Sequence, residues 1–325
     1  MIRKKLISII CPVYNEEEAV PLFYKRLMSA IESLRQEYDF ELIFTNNASE
    51  DRTLEVIKDI RLKDPIVQVI TFSRNFGYQA SILAGLRNAK GIGIVIIDVD
   101  CEDPPEMIPR FLMEWEKGCD IVYGRRDKRP EHIALQLARK VFYRITRLIA
   151  DYDFILDMAE FSLFSSRVRD IILQNHSTFP FIRSELGFVG FKRLGIPYNR
   201  EPRISGKTHY NFIKMAQFAI GGILSSSTFP LRLAVYLGIP LVFINLFIAL
   251  LSLMAGGSID MQVIFLLDFS YAILVLVFLS TYLARIYKDG IRRPLFIVDW
   301  QNSILNQANA GEHEPDEEAT EKERR

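Results

Sequence analysis

Hydrophobic and polar positions follow two different periods along the first hundred residues. Continuous apolar runs predict buried β-strands, because a central strand is covered on both faces; the runs are residues 6–13, 40–45, 67–72 and 92–99. Apolar residues spaced three and four apart predict helices between them, at residues 16–38, 53–63 and 79–89. This alternation predicts an α/β fold with a mostly parallel sheet and right-handed crossovers.

Polar residues follow each predicted strand. They are Tyr14-Asn15-Glu16, Asn46-Asn47, Ser73-Arg74-Asn75 and Asp98-Val99-Asp100. Open α/β sheets bind their ligands at the carboxyl ends of the strands, so these residues predict one shared site.

Two long apolar segments dominate the second half of the chain. Residues 233–255 carry no charged side chain, and residues 261–284 carry only Asp268. As helices, segments of this length span about 35 Å, which is enough to cross a bilayer core. They predict a hairpin of two transmembrane helices; two buried core helices of a soluble protein are the alternative.

Charges around this hairpin predict its orientation. Residues 256–260, between the spans, contain no Lys or Arg. Basic residues flank its outer ends: Arg232, Arg285, Lys288, Arg292 and Arg293. The positive-inside rule therefore predicts a multi-pass protein of the inner or plasma membrane, with the globular domain and both termini in the cytoplasm.

The composition shifts predict four parts of the chain. Residues 1–208 form the globular domain, 209–230 an interfacial juxtamembrane helix, 231–288 the transmembrane hairpin and 289–325 a cytosolic C-terminal segment. Phe212, Met215 and Ala219 can line one side of the juxtamembrane helix, for which a buried soluble helix is the alternative. The charged tail from residue 311 to residue 325 predicts disorder.

Charge and cysteine content exclude several protein classes. Lys and Arg number 40 and Asp and Glu number 40, and this zero net charge argues against nucleic-acid binding. Cys11, Cys101 and Cys119 are too few and too scattered for a disulfide scaffold or a zinc cluster.

Three carboxylates stand at the end of the last predicted strand. Asp98, Asp100 and Glu102 are spaced by two, so in extended chain they point the same way. Converging carboxylates repel unless a cation joins them, and Mg²⁺ or Mn²⁺ prefers oxygen ligands beside substrate phosphates. The pattern predicts a metal site; a capping or turn role before Pro104-Pro105 is the alternative.

Five segments together carry a family resemblance. They are residues 8–17 (SIICPVYNEE), 73–77 (SRNFG), 98–106 (DVDCEDPPE), 123–126 (YGRR) and 200–206 (REPRISG). With the two spans and Arg293-Pro294, they resemble the polyprenyl-phosphate glycosyltransferases of glycosyltransferase family 2. Bactoprenol glucosyltransferases are the closest type, and dolichol-phosphate mannose synthases are more distant.

The resemblance implies a reaction and its reactants. A Rossmann-like GT-A domain would transfer a sugar from a nucleotide sugar to undecaprenyl or another polyprenyl phosphate, with inversion at the anomeric carbon. UDP-glucose is the favoured donor, with UDP-N-acetylglucosamine and GDP-mannose as alternatives. Mg²⁺ or Mn²⁺ would stabilise the leaving diphosphate.

The resemblance also implies roles for individual residues. Contacts with the nucleotide sugar are implied for Pro12, Tyr14, Glu16, Asn47, Asp98, Val99, Asp100 and Arg126. Binding of the lipid phosphate is implied for Arg200, Arg203, Lys207 and His209, for which a solvated basic loop beside anionic lipid is the alternative. Asp157 is the favoured general base and Glu160 the second choice.

The chain departs from the family pattern at three places. Asn46-Asn47-Ala48-Ser49 replaces Asp-Asp-Gly-Ser, Ala159-Glu160-Phe161-Ser162-Leu163 replaces Gly-Asp-Phe-Arg-Leu, and Thr208-His209-Tyr210 replaces Ser-Lys-Tyr. An amide at Asn47 still hydrogen-bonds a base edge, and Lys207 can supply the charge missing at His209.

The charge of the acceptor phosphate limits the need for a general base. The second pKa of a phosphate monoester is about 6, so the acceptor is mostly dianionic at neutral pH. Asp157 therefore either accepts a proton, orients the sugar, stabilises the oxocarbenium-like charge, or makes only a loop-end hydrogen bond.

Other functions fit the sequence less well. A processive polysaccharide synthase would need more spans and a Gln-x-x-Arg-Trp motif, and a dehydrogenase would need a G-x-G-x-x-G turn that opens a helix. A nucleotide-sensing membrane scaffold on a degenerate fold stays open. Asn245 and Asp268 inside the spans favour partner helices, and hence a homo-oligomer.

Overall fold

The predicted alternation of strands and helices is present in the structure, a computed structural model that describes residues 4–126, 151, 158–175, 177–178, 180–204, 227–254 and 261–306. The first half contains β1 (Lys5–Val13), α1 (Ala19–Ile31), β2 (Tyr38–Asn46), α2 (Thr53–Lys63), β3 (Val67–Thr71), α3 (Tyr78–Asn88) and β4 (Gly93–Ile96). The following elements are α4 (Ile108–Glu116), β5 (Ile121–Arg126), β6 (Met158–Ser165), α5 (Ser166–Leu173), α6 (Ile182–Phe188) and β7 (Arg193–Tyr198).

Seven strands form one mixed sheet in the order β3-β2-β1-β4-β6-β5-β7. Neighbours are parallel except at β6, which runs antiparallel to both β4 and β5. The strand order reverses beside β1, because β2 and β3 lie on one side of it and β4 lies on the other. The expected mostly parallel α/β fold is confirmed, and the crevice at the reversal is where such sheets bind ligands.

Buried side chains on both faces explain the continuous apolar runs. On one face Ile9 packs in a cluster with Phe23 of α1 and Phe44 of β2, whose rings meet edge to face at 6.5 Å. On the opposite face Ile10 belongs to a second cluster with Leu83 of α3. Burial of each such side chain contributes about 1.5–3 kcal/mol, so both helical layers hold the central strands in place.

Two predicted elements end earlier than expected. The helix predicted at residues 16–38 begins at Ala19 and ends at Ile31, and a short 3-10 helix (Glu32–Gln36) follows it. The strand predicted at residues 92–99 ends at Ile96. Beyond it the chain turns, and Cys101 has a positive φ of 56°.

Two long helices follow the sheet domain, α7 (Phe229–Met254) and α8 (Met261–Ile291). They run antiparallel: the Tyr271 hydroxyl donates to the Ala234 carbonyl at 2.8 Å, and Asn245 Nδ2 donates to Asp268 Oδ1 at 2.6 Å. A Cβ at Gly238 would lie 2.3 Å from the Tyr271 hydroxyl, so glycine permits this close approach.

The two helices are long and apolar enough to cross a membrane. Ala234 is the only buried residue among those whose exposure is described in α7 and α8. Core helices of a soluble domain would be buried, so this exposure fits membrane association. Most of the predicted juxtamembrane helix (residues 209–230) and the charged tail (residues 311–325) lie outside the described residues.

Residues 294–306, here named the C-terminal strap, return to the sheet after α8. Ile304 pairs with Val69, and Val298 pairs with Phe72, both antiparallel. The strap thus lies along β3, which is otherwise an edge strand of the sheet. No pattern in the sequence predicts this contact.

Candidate active site

The loops that follow β1 and β2 are hydrogen-bonded to each other. The Asn15 amide donates to Ser49 Oγ at 3.0 Å, and the Glu16 amide donates to Thr53 Oγ1 at 2.8 Å. Asn15 has a positive φ of 56°, a conformation that asparagine tolerates better than most residues. Pro12, inside β1, is buried, and Tyr14 is half-buried. Pro12 is thus held in β1, and Tyr14 and Glu16 lie on a loop that these hydrogen bonds fix.

Asn47 holds the loop that follows β3. Its Nδ2 donates to Asn75 Oδ1 at 2.9 Å, and its Oδ1 accepts the Phe76 amide at 2.8 Å. The Asn47 side chain is buried, with 5% of its surface exposed. Residues 75 and 76 thus bind both ends of the Asn47 amide. The prediction gave this amide a contact with a base and did not include these two hydrogen bonds.

Asp98 and Asp100 lie in the turn after β4, at the reversal of strand order. Asp98 Oδ1 accepts a hydrogen bond from the Tyr78 hydroxyl at 2.7 Å. Burial, together with the negative charges of Asp100 and Asp103, raises the pKa of Asp98 to about 7. Burial also raises the pKa of Asp100, against the opposing charge of Arg203. This accumulation of negative charge favours a bound cation.

The sequence predicts Glu102 in extended chain with the two aspartates, and its role as a metal ligand stays a prediction. The expectation of an extended chain through residue 102 is wrong, because β4 ends at Ile96 and Cys101 turns the backbone. Glu102 instead forms an ion pair with Arg200. Across the part of the chain that the structure describes, no group of three or more His, Cys, Asp or Glu side chains is arranged to hold a metal ion.

The loop at residues 199–204 lies directly against the Asp98–Glu102 turn. The Glu201 amide donates to the Glu102 carbonyl at 2.9 Å, and the Ile204 amide donates to the Asp100 carbonyl at 3.0 Å. Arg26 of α1 fixes the loop by an ion pair with Glu201 at 2.9 Å. The backbone pairing therefore places this basic loop beside the two aspartates.

Both described arginines of the predicted phosphate site pair with carboxylates of the predicted donor site. Arg200 pairs with Glu102, and Arg203 pairs with Glu16. Burial raises the pKa of Glu16, while the Arg203 guanidinium opposes that rise. Lys207 and His209, the other predicted phosphate ligands, lie outside the described residues.

Arg126 is held inside the domain. Its guanidinium lies 3.2 Å from Asp103 Oδ2 and 3.2 Å from the Tyr198 hydroxyl, which also donates to Asp103. The Asp103 side chain is 3% exposed. The structure thus gives Arg126 a role in fixing β5 and β7 beside the Asp98–Glu102 turn; its implied donor contact stays a prediction.

Glu160 of β6 is a paired carboxylate. Its Oε1 lies 2.8 Å from Nε of Arg183 and 3.5 Å from Nε2 of Gln79. The residue is buried, with 6% of its surface exposed. The ion pair joins β6 to α6, and the choice of Glu160 as a second candidate base stays a prediction. Asp157, the favoured choice, lies outside the described residues.

Three residues at this site were missed by the sequence analysis. Tyr78 and Gln79 begin α3, and Arg183 lies in α6. Gly77, which ends the SRNFG segment, has a φ of 94° and turns the chain into α3. Tyr78 and Gln79 follow that segment directly, and this position in the sequence could have indicated that they belong to the site.

Comparisons of the sequence with known proteins identify its relatives. A profile described as Glycosyl transferase family 2 matches residues 8–172. The uncharacterized glycosyltransferase YkcC of Bacillus subtilis (strain 168) is 37% identical over 92% of this chain and 95% of that protein. The bactoprenol glucosyl transferase of Shigella phage SfX is 32% identical over 90% of this chain and 98% of that protein.

A comparison of structures gives a remoter likeness. Mannosyltransferase PcManGT from Pyrobaculum calidifontis, in complex with GDP-Man and Mn2+, is 15% identical, with a TM-score of 0.45, covering 90% of this chain and 89% of that chain. The family assignment comes from the sequences. Because the profile matches just over half of the chain and both sequence relatives align over most of it, this chain is a glycosyltransferase that belongs to glycosyl transferase family 2.

Proposed function

We propose that this enzyme transfers a sugar from a nucleotide sugar to a polyprenyl phosphate at a membrane surface. The observation that carries the proposal is the contact between one basic loop and one acidic turn. Arg200 and Arg203 lie on a loop whose backbone pairs with the Asp98–Glu102 turn. One element suits the diphosphate of a donor, and the other suits the phosphate of an acceptor.

The residues present fit a divalent cation. Mg²⁺ and Mn²⁺ are bound in many enzymes by one or two carboxylates together with substrate phosphates, so Asp98 and Asp100 suffice. When bound, the cation would stabilise the negative charge on the leaving diphosphate. Glu102 can join this set after Arg200 releases it, so its role as a ligand stays part of the proposal.

The arginines supply the acceptor side. A guanidinium pairs with a phosphate through two parallel hydrogen bonds, so Arg200 and Arg203 suit a lipid phosphate. Lys207 and His209 extend the same basic segment in sequence. In the proposed reaction, the phosphate oxygen attacks the anomeric carbon in line with the departing nucleoside diphosphate, and the anomeric configuration inverts.

The proposed reaction needs little general base. The acceptor is mostly dianionic at neutral pH, so its attacking oxygen is already free of a proton. Glu160 is ion-paired to Arg183. We therefore assign Glu160 to holding α6 against the sheet, and we keep Asp157 as the candidate that orients the sugar or accepts a proton.

The membrane hairpin would place the site at the headgroups, where the acceptor carries its phosphate. Basic residues lie at the outer ends of the hairpin, and the turn between its two helices has none. This distribution favours a cytoplasmic location for the sheet domain and both termini. The relatives named bactoprenol glucosyl transferase favour undecaprenyl phosphate as acceptor and UDP-glucose as donor. Asp268 is exposed on α8 beside Asn245, so helices of a second copy would shield this polar pair, and we propose a homo-oligomer.

Transfer of radiolabelled glucose from UDP-glucose to undecaprenyl phosphate in membranes tests the proposal. UDP-N-acetylglucosamine and GDP-mannose run in parallel, each with Mg²⁺, Mn²⁺ or EDTA. We expect cation-dependent labelling of lipid from one donor and its loss in Asp98→Asn. Asp59→Asn, which changes an exposed carboxylate of α2, is the matched control. Donor binding without any transfer to this lipid would contradict the proposed acceptor.

A further inference from the structure

We infer that the C-terminal strap is a positioning element for the donor side of the site, and that Phe296 is its key residue. The inference rests on the proposed function, because it concerns affinity for the nucleotide sugar. Phe296 lies on the strap, and Asn47, the residue that it would position, follows β2. The two are joined by a short series of contacts through the loop after β3.

The strap binds the end of β3 and the loop after it. The Asp299 amide donates to the Thr71 carbonyl at 2.8 Å, and the Ser73 amide donates to the Ile297 carbonyl at 3.0 Å. Thr71 also donates its amide to Ser303 Oγ at 2.9 Å. The strap thus fixes the chain at the point where it leaves the sheet for residues 73–76.

Aromatic packing continues the contact from the strap to Asn47. The ring of Phe296 stacks on Phe72 at 5.1 Å with an interplanar angle of 18°. Phe72 in turn meets Phe76 edge to face at 5.8 Å. The Phe76 amide donates to Asn47 Oδ1 at 2.8 Å. Movement of Phe296 would therefore be transmitted to the amide that lies at the predicted base site.

The strap is anchored at its far end as well. The Asn306 amide donates to Gln68 Oε1 at 2.8 Å, and Lys90 Nζ donates to the Asn306 carbonyl at 2.6 Å. Gln68 also donates to the buried carboxylate of Glu41 at 2.9 Å. This end of the strap is bound near the first residues of β3, so the strap has one defined register along that strand.

Protection of a sheet edge explains only part of this arrangement. Pairing of Ile304 with Val69 would by itself cover the edge of β3 and prevent unwanted strand association. The Phe296 end instead packs beyond the last residue of β3, Thr71, on the loop that meets Asn47. A second task, holding that loop, accounts for the extra contact.

The strap also joins the membrane helices to the donor site. α8 ends at Ile291, and only Arg292 and Arg293 separate it from the strap. Near that end, Asp289 Oδ1 accepts the Thr178 amide at 2.8 Å. The position of the hairpin is therefore linked through a few residues to Phe72 and its loop.

Steady-state kinetics of full-length Phe296→Leu in membranes test the inference. Loss of the stacked pair should raise the KM for the sugar nucleotide about three- to tenfold, with kcat and the KM for the lipid unchanged. Phe296→Tyr, which keeps the ring, should restore the wild-type KM. Trp300→Ala removes an exposed aromatic side chain from the same strap and should leave all three constants unchanged.

Direct titration with UDP and with GDP, on the same purified proteins, separates the inference from the proposed function. Weaker binding of the preferred nucleotide by Phe296→Leu supports positioning even if the wild type transfers no sugar to lipid. Equal nucleotide affinity and equal KM in wild type and Phe296→Leu would overturn the inference, whatever the acceptor. A fall in kcat or in melting temperature without a change in KM would also overturn it, because that result marks a merely structural contact.

Discussion

Replacement of Arg203 by alanine should cause two separable losses. The side chains of Arg203 and Glu16 are 21% and 11% exposed, so their ion pair is largely shielded from water. Removal of one partner leaves the Glu16 carboxylate uncompensated, which lowers the free energy of unfolding by about 1–3 kcal/mol. The same change removes the proposed charge-assisted contact to the acceptor phosphate. That contact is worth about 1.5–3 kcal/mol, so the KM for the lipid should rise about 10- to 100-fold.

A double variant distinguishes the two losses. Glu16→Gln combined with Arg203→Ala removes the unpaired charge, so we expect it to recover most of the lost stability. It restores no cation for the phosphate, so the KM for the lipid should stay high. Chemical unfolding in detergent gives the stability, and initial rates at saturating sugar nucleotide give the KM.

The matched control is Arg110→Ala, which removes an exposed arginine from α4 and should change neither quantity. Recovery of the lipid KM in the double variant would refute the assignment, because Arg203 would then act only through Glu16. An unchanged lipid KM in Arg203→Ala alone would refute it more directly. Loss of stability without any kinetic change would leave Arg203 as a structural residue.

Three further predictions follow from the site and the core. Burial and the charges of Asp100 and Asp103 raise the pKa of Asp98 to about 7, so below that pH a cation must displace a proton. Calorimetric titration should show Mn²⁺ affinity rising about tenfold from pH 6 to pH 8; an affinity independent of pH would contradict this. Asp98→Asn should weaken Mn²⁺ binding and reduce its pH dependence. A Cβ at Gly91 would lie 2.5 Å from the Ser8 backbone nitrogen, so Gly91→Ala should lower the free energy of unfolding by about 1–3 kcal/mol in a denaturant titration. Gly290→Ala, whose Cβ would meet no atom within 4 Å, should be close to neutral. Asp157→Asn should cut turnover strongly in the lipid-transfer assay if Asp157 accepts a proton, and activity within a few fold of wild type would exclude that role.

Periodic elements of the fold could be predicted from the sequence. The helix predicted at residues 53–63 is α2 (Thr53–Lys63), because its apolar residues face one side and polar residues bound both ends. The strands β1 and β2 differ from their predicted bounds by one or two residues at an end. These elements are determined by local burial patterns, which the order of apolar residues records directly.

Features set by tertiary contacts could not be predicted. The apolar run at residues 92–99 continues past the end of β4, because Ile97 and Val99 are buried although they lie outside the strand. The pairing of Glu102 with Arg200 depends on a loop nearly a hundred residues away. The strap has no helical or strand period of its own, so only its pairing with β3 reveals it.

The strap has a consequence for the order in which the protein is made. The ribosome synthesises residues 294–306 after both apolar helices, while the sheet that they complete was made first. Domains generally fold from the N-terminal end during synthesis, so β3 keeps an open edge until the hairpin has left the ribosome. A nascent chain that stalls within α8 would present that unpaired edge to other strands. Completion of the hairpin and of residues 294–306 is therefore needed before this edge of the sheet is covered.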